Sequence, residues 1–168
     1  MNMNMNFVSQ ILLCLVLLIV QALVLNNIHL FGFATPLLYV YTVICMRRNF
    51  PRWAALVISF LLGLGIDIFS NTPGVAACSL TLLAFVQPLL LSLFLPRDSA
   101  DDFLPTIYSL GVAKYINYAF IATLLYCVVF YTLEMFNFFN WILWLECVGG
   151  STLITLLILV VVDNMRRK

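Results

Sequence analysis

The sequence is poor in charge and in the residue types that build catalytic and metal sites. Charged residues make up only 9% of the 168 positions, and histidine occurs once. Because soluble domains carry about a quarter charged residues, this composition excludes an ordinary soluble domain. The eight Lys and Arg nearly balance the seven Asp and Glu, and no basic run exceeds three residues. The basic patch typical of a nucleic-acid-binding protein is therefore absent, and we expect no nucleic-acid partner.

The sequence also lacks the motifs of common catalytic and cofactor chemistry. It contains no glycine-rich phosphate loop, no H-E-x-x-H zinc motif, and no set of Ser, His and Asp that could gather on one side of a membrane. The five cysteines lie in apolar stretches and form no C-x-x-C pair, so we expect them to be small, buried hydrophobic residues. We therefore expect a non-enzymatic protein without a cofactor or a metal site.

What the sequence has in abundance is long hydrophobic runs, with 64% hydrophobic residues overall. A membrane-spanning helix needs about 20 apolar residues, with a range of about 17 to 25. Six runs meet this length: residues 7–25, 30–46, 53–69, 75–95, 107–133 and 141–162. We predict an all-α polytopic membrane protein, with residues 1–168 forming a single domain, a compact bundle of six transmembrane helices.

The first run could also belong to a cleavable signal peptide. The sequence Val20-Gln21-Ala22 loosely resembles a small-residue cleavage site. However, no basic residue precedes the run, and the run is long for a signal peptide. We therefore interpret residues 7–25 as an uncleaved span.

The positions of the basic residues predict the orientation in the membrane. Cytoplasmic loops are enriched in Lys and Arg. The basic residues lie between spans two and three, around the connection from span four to span five, and after span six: Arg47, Arg48, Arg52, Arg97, Lys114, Arg166, Arg167 and Lys168. The alternate connections contain none. We therefore predict that both termini are cytoplasmic.

Asp67 is the first candidate functional residue, because ionisable residues inside membrane spans are rare. Ser59, Gly63 and Asp67 follow each other at intervals of four residues and therefore share one helix face. Such a small and polar face lets another helix approach closely. One interpretation is that the carboxylate caps the following turn or the start of span four. The alternative is that this face binds a partner or a ligand.

Glu146 is a second intramembrane acid, followed by Gly149 and Gly150 on the same side of span six. The predicted topology places it on the outer side with three further ionisable residues: His29, Asp67 and Glu134. If these side chains cluster, they could bind a cation or accept hydrogen bonds from a partner. If they are dispersed, they are interfacial residues in contact with water.

Lys114 is the one basic residue expected within a span. Its long side chain could reach the cytoplasmic headgroups while its stem stays in the apolar region. The alternatives are a contact with a partner or an ion pair with an acid of the preceding loop: Asp98, Asp101 or Asp102.

Residues 60–87 resemble the signature region of the rod shape-determining protein MreD family. In that family a glycine-containing helix ends in an Asp, a short turn with a Ser follows, and a Gly begins the next helix. The corresponding residues here are Gly63, Asp67, Ser70 and Gly74. The sequence departs from the family where a polar or basic residue often follows the Gly, because Val75-Ala76-Ala77-Cys78 stands there.

The resemblance implies a non-enzymatic scaffold of the cell-elongation machinery in the bacterial inner membrane. Such a scaffold pairs with the bitopic protein MreC and, through it, with MreB filaments and the wall-synthesising glycosyltransferase and transpeptidase. We hypothesise that the partner's transmembrane and juxtamembrane segments bind one face and one turn: Ser59, Gly63, Asp67, Ser70, Pro73 and Gly74.

The alternative function is the substrate-binding membrane subunit of a modular vitamin or small-molecule transporter, whose six-helix fold the MreD family is thought to resemble. A polar pocket on the outer side would favour it, and Asp67, Glu146 and His29 are the candidates for such a pocket.

Overall fold

The computed structural model describes residues 36–48, 50–95, 103–135 and 141–165. The regular secondary structure of these residues is entirely helical. Four helices are long and apolar enough to cross a membrane: α2 (Arg52–Ser70), α3 (Val75–Phe94), α5 (Val112–Glu134) and α6 (Trp141–Met165). Two helices are short: α1 (Val40–Ile44) and α4 (Ile107–Leu110). The all-α prediction is therefore confirmed for the described residues, and the four long apolar helices are consistent with a multi-pass membrane protein.

The four long helices correspond to predicted spans three to six, with one clear difference. The fifth span was expected to begin at Ile107, but a break at Gly111 separates α4 from α5. Gly111 has φ of 84° and ψ of 149°, a conformation that residues with a Cβ rarely adopt. The prediction of one continuous helix from residue 107 is therefore wrong, and the spanning helix begins at Val112.

Of the first two predicted spans, the structure describes only residues 36–46. Residues 7–25 and 30–35 lie outside the described residues, as do both chain termini, so the number of six spans and the cytoplasmic termini stay predictions. In the rest of span two only Val40–Ile44 is helical, so its helix is much shorter there than predicted. The described part of span two begins with four non-helical residues, 36–39, and the Leu37 N–H there donates to the Thr155 hydroxyl of α6 (3.1 Å) instead of to a helical carbonyl.

The long helices pack side by side in the order α2, α3, α5 and α6, and α1 lies against α3 and α5. Every residue from 36 to 46 is buried, although only Val40–Ile44 is helical. This buried stretch, which we term the internal segment (residues 36–46), therefore forms part of the core together with inward-facing residues of α3 and α5, such as Leu80, Leu83 and Ala119.

α2 and α3 form a helical hairpin in which the backbone of α3 lies directly against Gly63. A Cβ atom at this position would lie 2.3 Å from the backbone Cα of Ala77 and 2.6 Å from its backbone nitrogen. Only a residue without a side chain fits such a distance, and small residues are what allow helices to approach closely in membranes. The sequence pattern of small residues thus serves packing within the chain.

We predict that Gly63→Ala lowers the free energy of unfolding by about 1–3 kcal/mol, because the added methyl group overlaps the backbone of α3. The measurement is unfolding of the purified protein in mixed detergent micelles, followed by circular dichroism. Gly149→Ala is the matched control. A Cβ there has no neighbour within 4 Å among the described residues. The higher helix propensity of alanine should leave stability unchanged or raise it by up to about 1 kcal/mol. Equal effects of the two substitutions would contradict the packing argument.

Candidate functional site

Asp67 lies at the end of α2, and its carboxylate caps the beginning of α3. Its Oδ1 accepts hydrogen bonds from the backbone N–H of Ala76 (2.9 Å) and the hydroxyl of Thr72 (3.1 Å), and its Oδ2 accepts one from the backbone N–H of Ala77 (3.0 Å). The side chain is only 4% exposed. A negative charge at a helix N-terminus is favoured by the helix dipole, which explains how a buried carboxylate can be accommodated here. This is the capping arrangement that the sequence offered as one interpretation.

The turn between α2 and α3 also depends on Asp67, because its backbone carbonyl accepts hydrogen bonds from the N–H groups of Asn71 and Thr72. Asn71 and Gly74 both have positive φ angles, 56° and 84°, which fit a tight reversal of the chain. Asn71, Pro73 and Gly74 are exposed. The turn is therefore held from inside by the aspartate and open to the outside.

Asp67→Ala removes three hydrogen bonds and leaves the N–H groups of Ala76 and Ala77 without their acceptor. We predict a loss of about 1–3 kcal/mol in the free energy of unfolding. The stability of Asp67→Asn should lie between those of the wild type and Asp67→Ala, because the asparagine side chain retains one oxygen as an acceptor. The control is Glu146→Gln, which changes an exposed carboxylate and should alter stability by less than about 0.5 kcal/mol. Detergent unfolding curves measure all three, and a neutral Asp67→Ala would contradict the capping role.

The structure places the hypothesised partner-binding face inside the chain's own helix packing. Ser59, Gly63 and Asp67 are all buried, and the backbone of α3 lies directly over Gly63. A partner helix could therefore reach this face only by displacing α3. The partner role of these three residues stays a prediction, whereas Pro73 and Gly74 of the same hypothesis lie on the exposed turn.

Glu146, Glu134 and Lys114 are all exposed. The two glutamates lie at the end where α5 finishes and α6 starts, and both are within electrostatic range of the Cys147 thiol. Asp67 differs from them because its carboxylate accepts hydrogen bonds from the backbone N–H groups of Ala76 and Ala77. His29 lies outside the described residues, so the proposed cluster of outer-side ionisable residues stays a prediction.

Lys114 lies in the first turn of α5, closer to the helix end than the sequence suggested, because α5 begins only at Val112. Its exposure fits a side chain that extends towards headgroups. The three loop acids that could pair with it lie outside the described residues.

Asp163, near the end of α6, is a buried acid that the sequence reading missed. It is 4% exposed, and its carboxylate accepts hydrogen bonds from the Tyr41 hydroxyl (3.0 Å) and from the backbone N–H of Ile107 (2.8 Å). One aspartate thus joins the end of α6 to the internal segment and to the first residue of α4. An acid in the last turn of an apolar run was the available signal, but the predicted span ended one residue before it.

We predict that Asp163→Ala destabilises the protein by about 1–3 kcal/mol, because it leaves the buried Tyr41 hydroxyl and the Ile107 N–H without this acceptor. Asn164→Ala is the matched control, since Asn164 is the exposed neighbour on the same helix. It should change stability by less than about 0.5 kcal/mol. The same detergent unfolding measurement checks both, and equal effects would show that Asp163 does not carry this connection.

Buried tyrosines form another part of the polar interior. The hydroxyl oxygens of Tyr39 and Tyr126 are 2.5 Å apart, and the Tyr131 hydroxyl lies 2.6 Å from the Ser151 hydroxyl. These pairs link the internal segment to α5 and α5 to α6. The repeat of tyrosines along α5 at helical spacing was the signal that could have revealed them: Tyr115, Tyr118 and Tyr126.

A small and polar face of α3 is also part of this interior. Ala77, Ala84 and Gln87 are buried on α3, and Thr81 is half-buried. The Gln87 amide donates to the Met46 carbonyl (3.3 Å) and to the Tyr118 hydroxyl (3.2 Å).

The cysteines follow the prediction at three of the four described positions. Cys45, Cys127 and Cys147 are buried, whereas Cys78 is exposed, so the prediction is wrong for Cys78. Cys14 lies outside the described residues. Within the ranges that the structure describes, no three His, Cys, Asp or Glu residues are grouped as a metal site would require.

Comparisons of the chain with protein-family models, curated proteins and solved structures find no match. Any functional assignment therefore depends on the residues and their geometry.

Proposed function

We propose that the protein is a non-enzymatic membrane scaffold of the MreD type, which binds an MreC-like protein in the bacterial inner membrane and so acts on peptidoglycan synthesis and cell shape. The observation that carries the proposal is the geometry of the segment that resembles this family. Gly63 allows α2 and α3 to touch, Asp67 caps α3, and Gly74 takes the positive φ angle that the turn needs. The residues of the resemblance therefore form one structural unit.

The distribution of polar and apolar side chains between the interior and the surface supports a scaffold function. Several buried polar side chains of the described residues make hydrogen bonds that connect different parts of the fold, as Asp67, Gln87 and Asp163 show. The exposed surface carries large apolar residues on α2, α3 and α6: for example Phe60, Phe85 and Leu157. Lipid and the transmembrane helices of partners are the two kinds of neighbour that such a surface suits.

The turn at residues 70–74 is the part of the original partner hypothesis that remains open to a juxtamembrane segment. Pro73 lies in this turn and is exposed. We therefore assign the turn, rather than the buried face of α2, as the first contact for the periplasmic side of an MreC-like partner.

The test is co-purification of the tagged protein with a co-expressed MreC-like protein from the same genome, quantified by mass spectrometry. We expect Pro73→Glu to lower recovery of the partner about tenfold, which corresponds to about 1.4 kcal/mol. Asn117→Glu is the control, because it places the same charge at an exposed position near the opposite end of the helices. It should leave recovery unchanged.

Two results would contradict the proposal. One is a wild-type protein that recovers no MreC-like protein from gently solubilised membranes. The other is recovery of a transporter ATPase module in its place.

The transporter alternative has one observation in its favour. The internal segment is a broken stretch of helix among spanning helices, and such breaks often line the binding sites of transporters. The Tyr115 hydroxyl is buried near this segment without a hydrogen-bond partner among the described residues. A small molecule that stays bound to the purified protein and is lost in Tyr115→Phe would favour this function over the scaffold.

A further inference from the structure

Residues 103–110, which we call the strap, lie at the end of the bundle where α6 finishes. The Phe103 carbonyl accepts a hydrogen bond from the backbone N–H of Arg48 (3.2 Å). The Ile107 N–H donates to the carboxylate of Asp163 (2.8 Å), which also accepts from Tyr41 of the internal segment (3.0 Å). Leu110 is buried in the core. The strap is therefore fastened beside this end of the internal segment.

The break at Gly111 leaves the start of α5 without part of its backbone hydrogen bonding. Within the strap, α4 is a regular helical turn with a capping box at Thr106, and the apolar run from Ile107 continues into α5. Because α5 begins at Val112, its first N–H groups have no carbonyl of a preceding turn to donate to. In one continuous helix from Ile107, the strap would supply acceptors to three of them: Val112, Ala113 and Lys114.

Gly111 is a residue that can adopt both the broken and the continuous arrangement. Its φ of 84° and ψ of 149° are unfavourable for a residue with a Cβ, whereas glycine can also take helical angles. A Cβ added here would meet no described atom within 4 Å. The backbone conformation, and no crowding from described neighbours, is therefore what requires a glycine at the break.

A buried donor near Asp163 is unused. The Tyr115 hydroxyl has no hydrogen-bond partner among the described residues, although the side chain is fully buried. Tyr115 lies within electrostatic range of Asp163 and of Cys45 in the internal segment. A buried hydroxyl without a partner is costly. If the Ile107 N–H left Asp163, the Tyr115 hydroxyl is the donor that could replace it.

We propose that the strap is a conformational switch with two positions. In the closed position, which the structure shows, Asp163 holds Ile107 and the chain breaks at Gly111. In the open position, residues 107–111 join α5 as one helix, the Tyr115 hydroxyl replaces the Ile107 N–H at Asp163, and Cys45 of the internal segment becomes accessible to water. The switch goes beyond the scaffold proposal and does not depend on it, because all of its parts belong to this chain.

The two positions exchange contributions of the same kind. Opening supplies acceptors to N–H groups of α5 and a partner to Tyr115. It gives up the burial of Leu110 and the hydrogen bond between Phe103 and Arg48. Each change amounts to a few hydrogen bonds or one buried side chain, so a single substitution can move the equilibrium between the two positions.

Two substitutions should move this equilibrium in opposite directions. Gly111→Ala favours the open position, because a Cβ makes the positive φ unfavourable and leaves helical angles available. Val112→Pro favours the closed position. Proline is accepted as the first residue of a helix, but inside a continuous helix it lacks the N–H and clashes with the preceding turn. Gly74→Ala is the matched control, because Gly74 has the same φ of 84° in the turn at the opposite end.

The experiment measures alkylation of the native cysteines by a small water-soluble maleimide, with the purified full-length protein in phosphatidylcholine nanodiscs. Mass spectrometry follows each cysteine separately. Relative to the wild type, we expect Cys45 to react about tenfold faster in Gly111→Ala and about tenfold slower in Val112→Pro. Gly74→Ala should leave this rate unchanged. Cys127, a buried thiol in the second half of α5, should react equally in all four proteins.

Hydrogen exchange tests the open helix directly. The amides of Ala113 and Lys114 should become protected in Gly111→Ala, because the continuous helix gives them acceptors. Tyr115→Phe should slow the reaction of Cys45 about threefold relative to the wild type, because the open position loses its replacement donor at Asp163. An unchanged rate in Tyr115→Phe would overturn the role assigned to this hydroxyl.

Two results would overturn the switch itself. The first is an equal rate at Cys45 in the wild type, Gly111→Ala and Val112→Pro. The second is faster reaction in Gly111→Ala without protection of Ala113 and Lys114, which would show that the strap leaves without joining α5. If Gly111→Ala exposes Cys127 as well, the whole bundle has loosened and Val112→Pro decides: a slower rate at Cys45 supports the switch, and an unchanged one overturns it.

Discussion

The structure depends on satisfying the backbone of a buried stretch that is mostly not helical. Residues 36–46 are all buried among helices that are long and apolar enough to cross a membrane, yet only Val40–Ile44 is helical. In an apolar surrounding, each unpaired N–H or carbonyl costs several kcal/mol. Side chains from other helices supply the missing partners: Thr155 accepts from the Leu37 N–H, Tyr118 donates to the Ile44 carbonyl, and Gln87 donates to the Met46 carbonyl. Those polar side chains are therefore buried because this backbone needs them.

The two buried aspartates likewise satisfy backbone groups, in their case at the beginnings of helices. Asp67 on α2 satisfies the first N–H groups of α3, and Asp163 on α6 satisfies the first N–H group of α4. In each case a carboxylate on one helix completes the start of another, so secondary and tertiary structure stabilise each other. Gly63 contributes by steric fit, since it lets α2 approach α3 closely enough for Asp67 to reach Ala76 and Ala77.

With ten polar or charged side chains of the described residues buried, the surface that these residues present is largely apolar and offers few side chains that can specify a partner. The exposed turn at residues 70–74 and the exposed carboxylate of Glu146 are two places where this surface departs from a uniform apolar covering. The turn offers exposed backbone and Pro73, and on α6 Glu146 lies three residues before the exposed Gly149. Such sparse features are compatible with a scaffold, because a few well-placed contacts can orient helices that the membrane already holds nearly parallel.

The amino-acid sequence by itself determined the features that depend on composition and local pattern. Hydrophobic runs predicted six spans, and four of them are helices of spanning length whose bounds lie close to those predicted. The small residues around Gly63 predicted close helix packing. The capping of α3 by Asp67 was one of two readings of a local pattern. The tertiary structure decided which of these faces the chain uses for itself, because burial depends on what lies across from a helix and no local pattern contains that information.

For the same reason, only the tertiary structure revealed the contact between Asp163 and Tyr41, because these two residues are 122 positions apart in the chain. Hydropathy also failed to predict the interruption of span two and the break at Gly111. An apolar run indicates that a segment prefers an apolar environment, but it does not determine the backbone conformation of that segment. Long-range hydrogen bonds settle that conformation, and they exist only once the helices have packed.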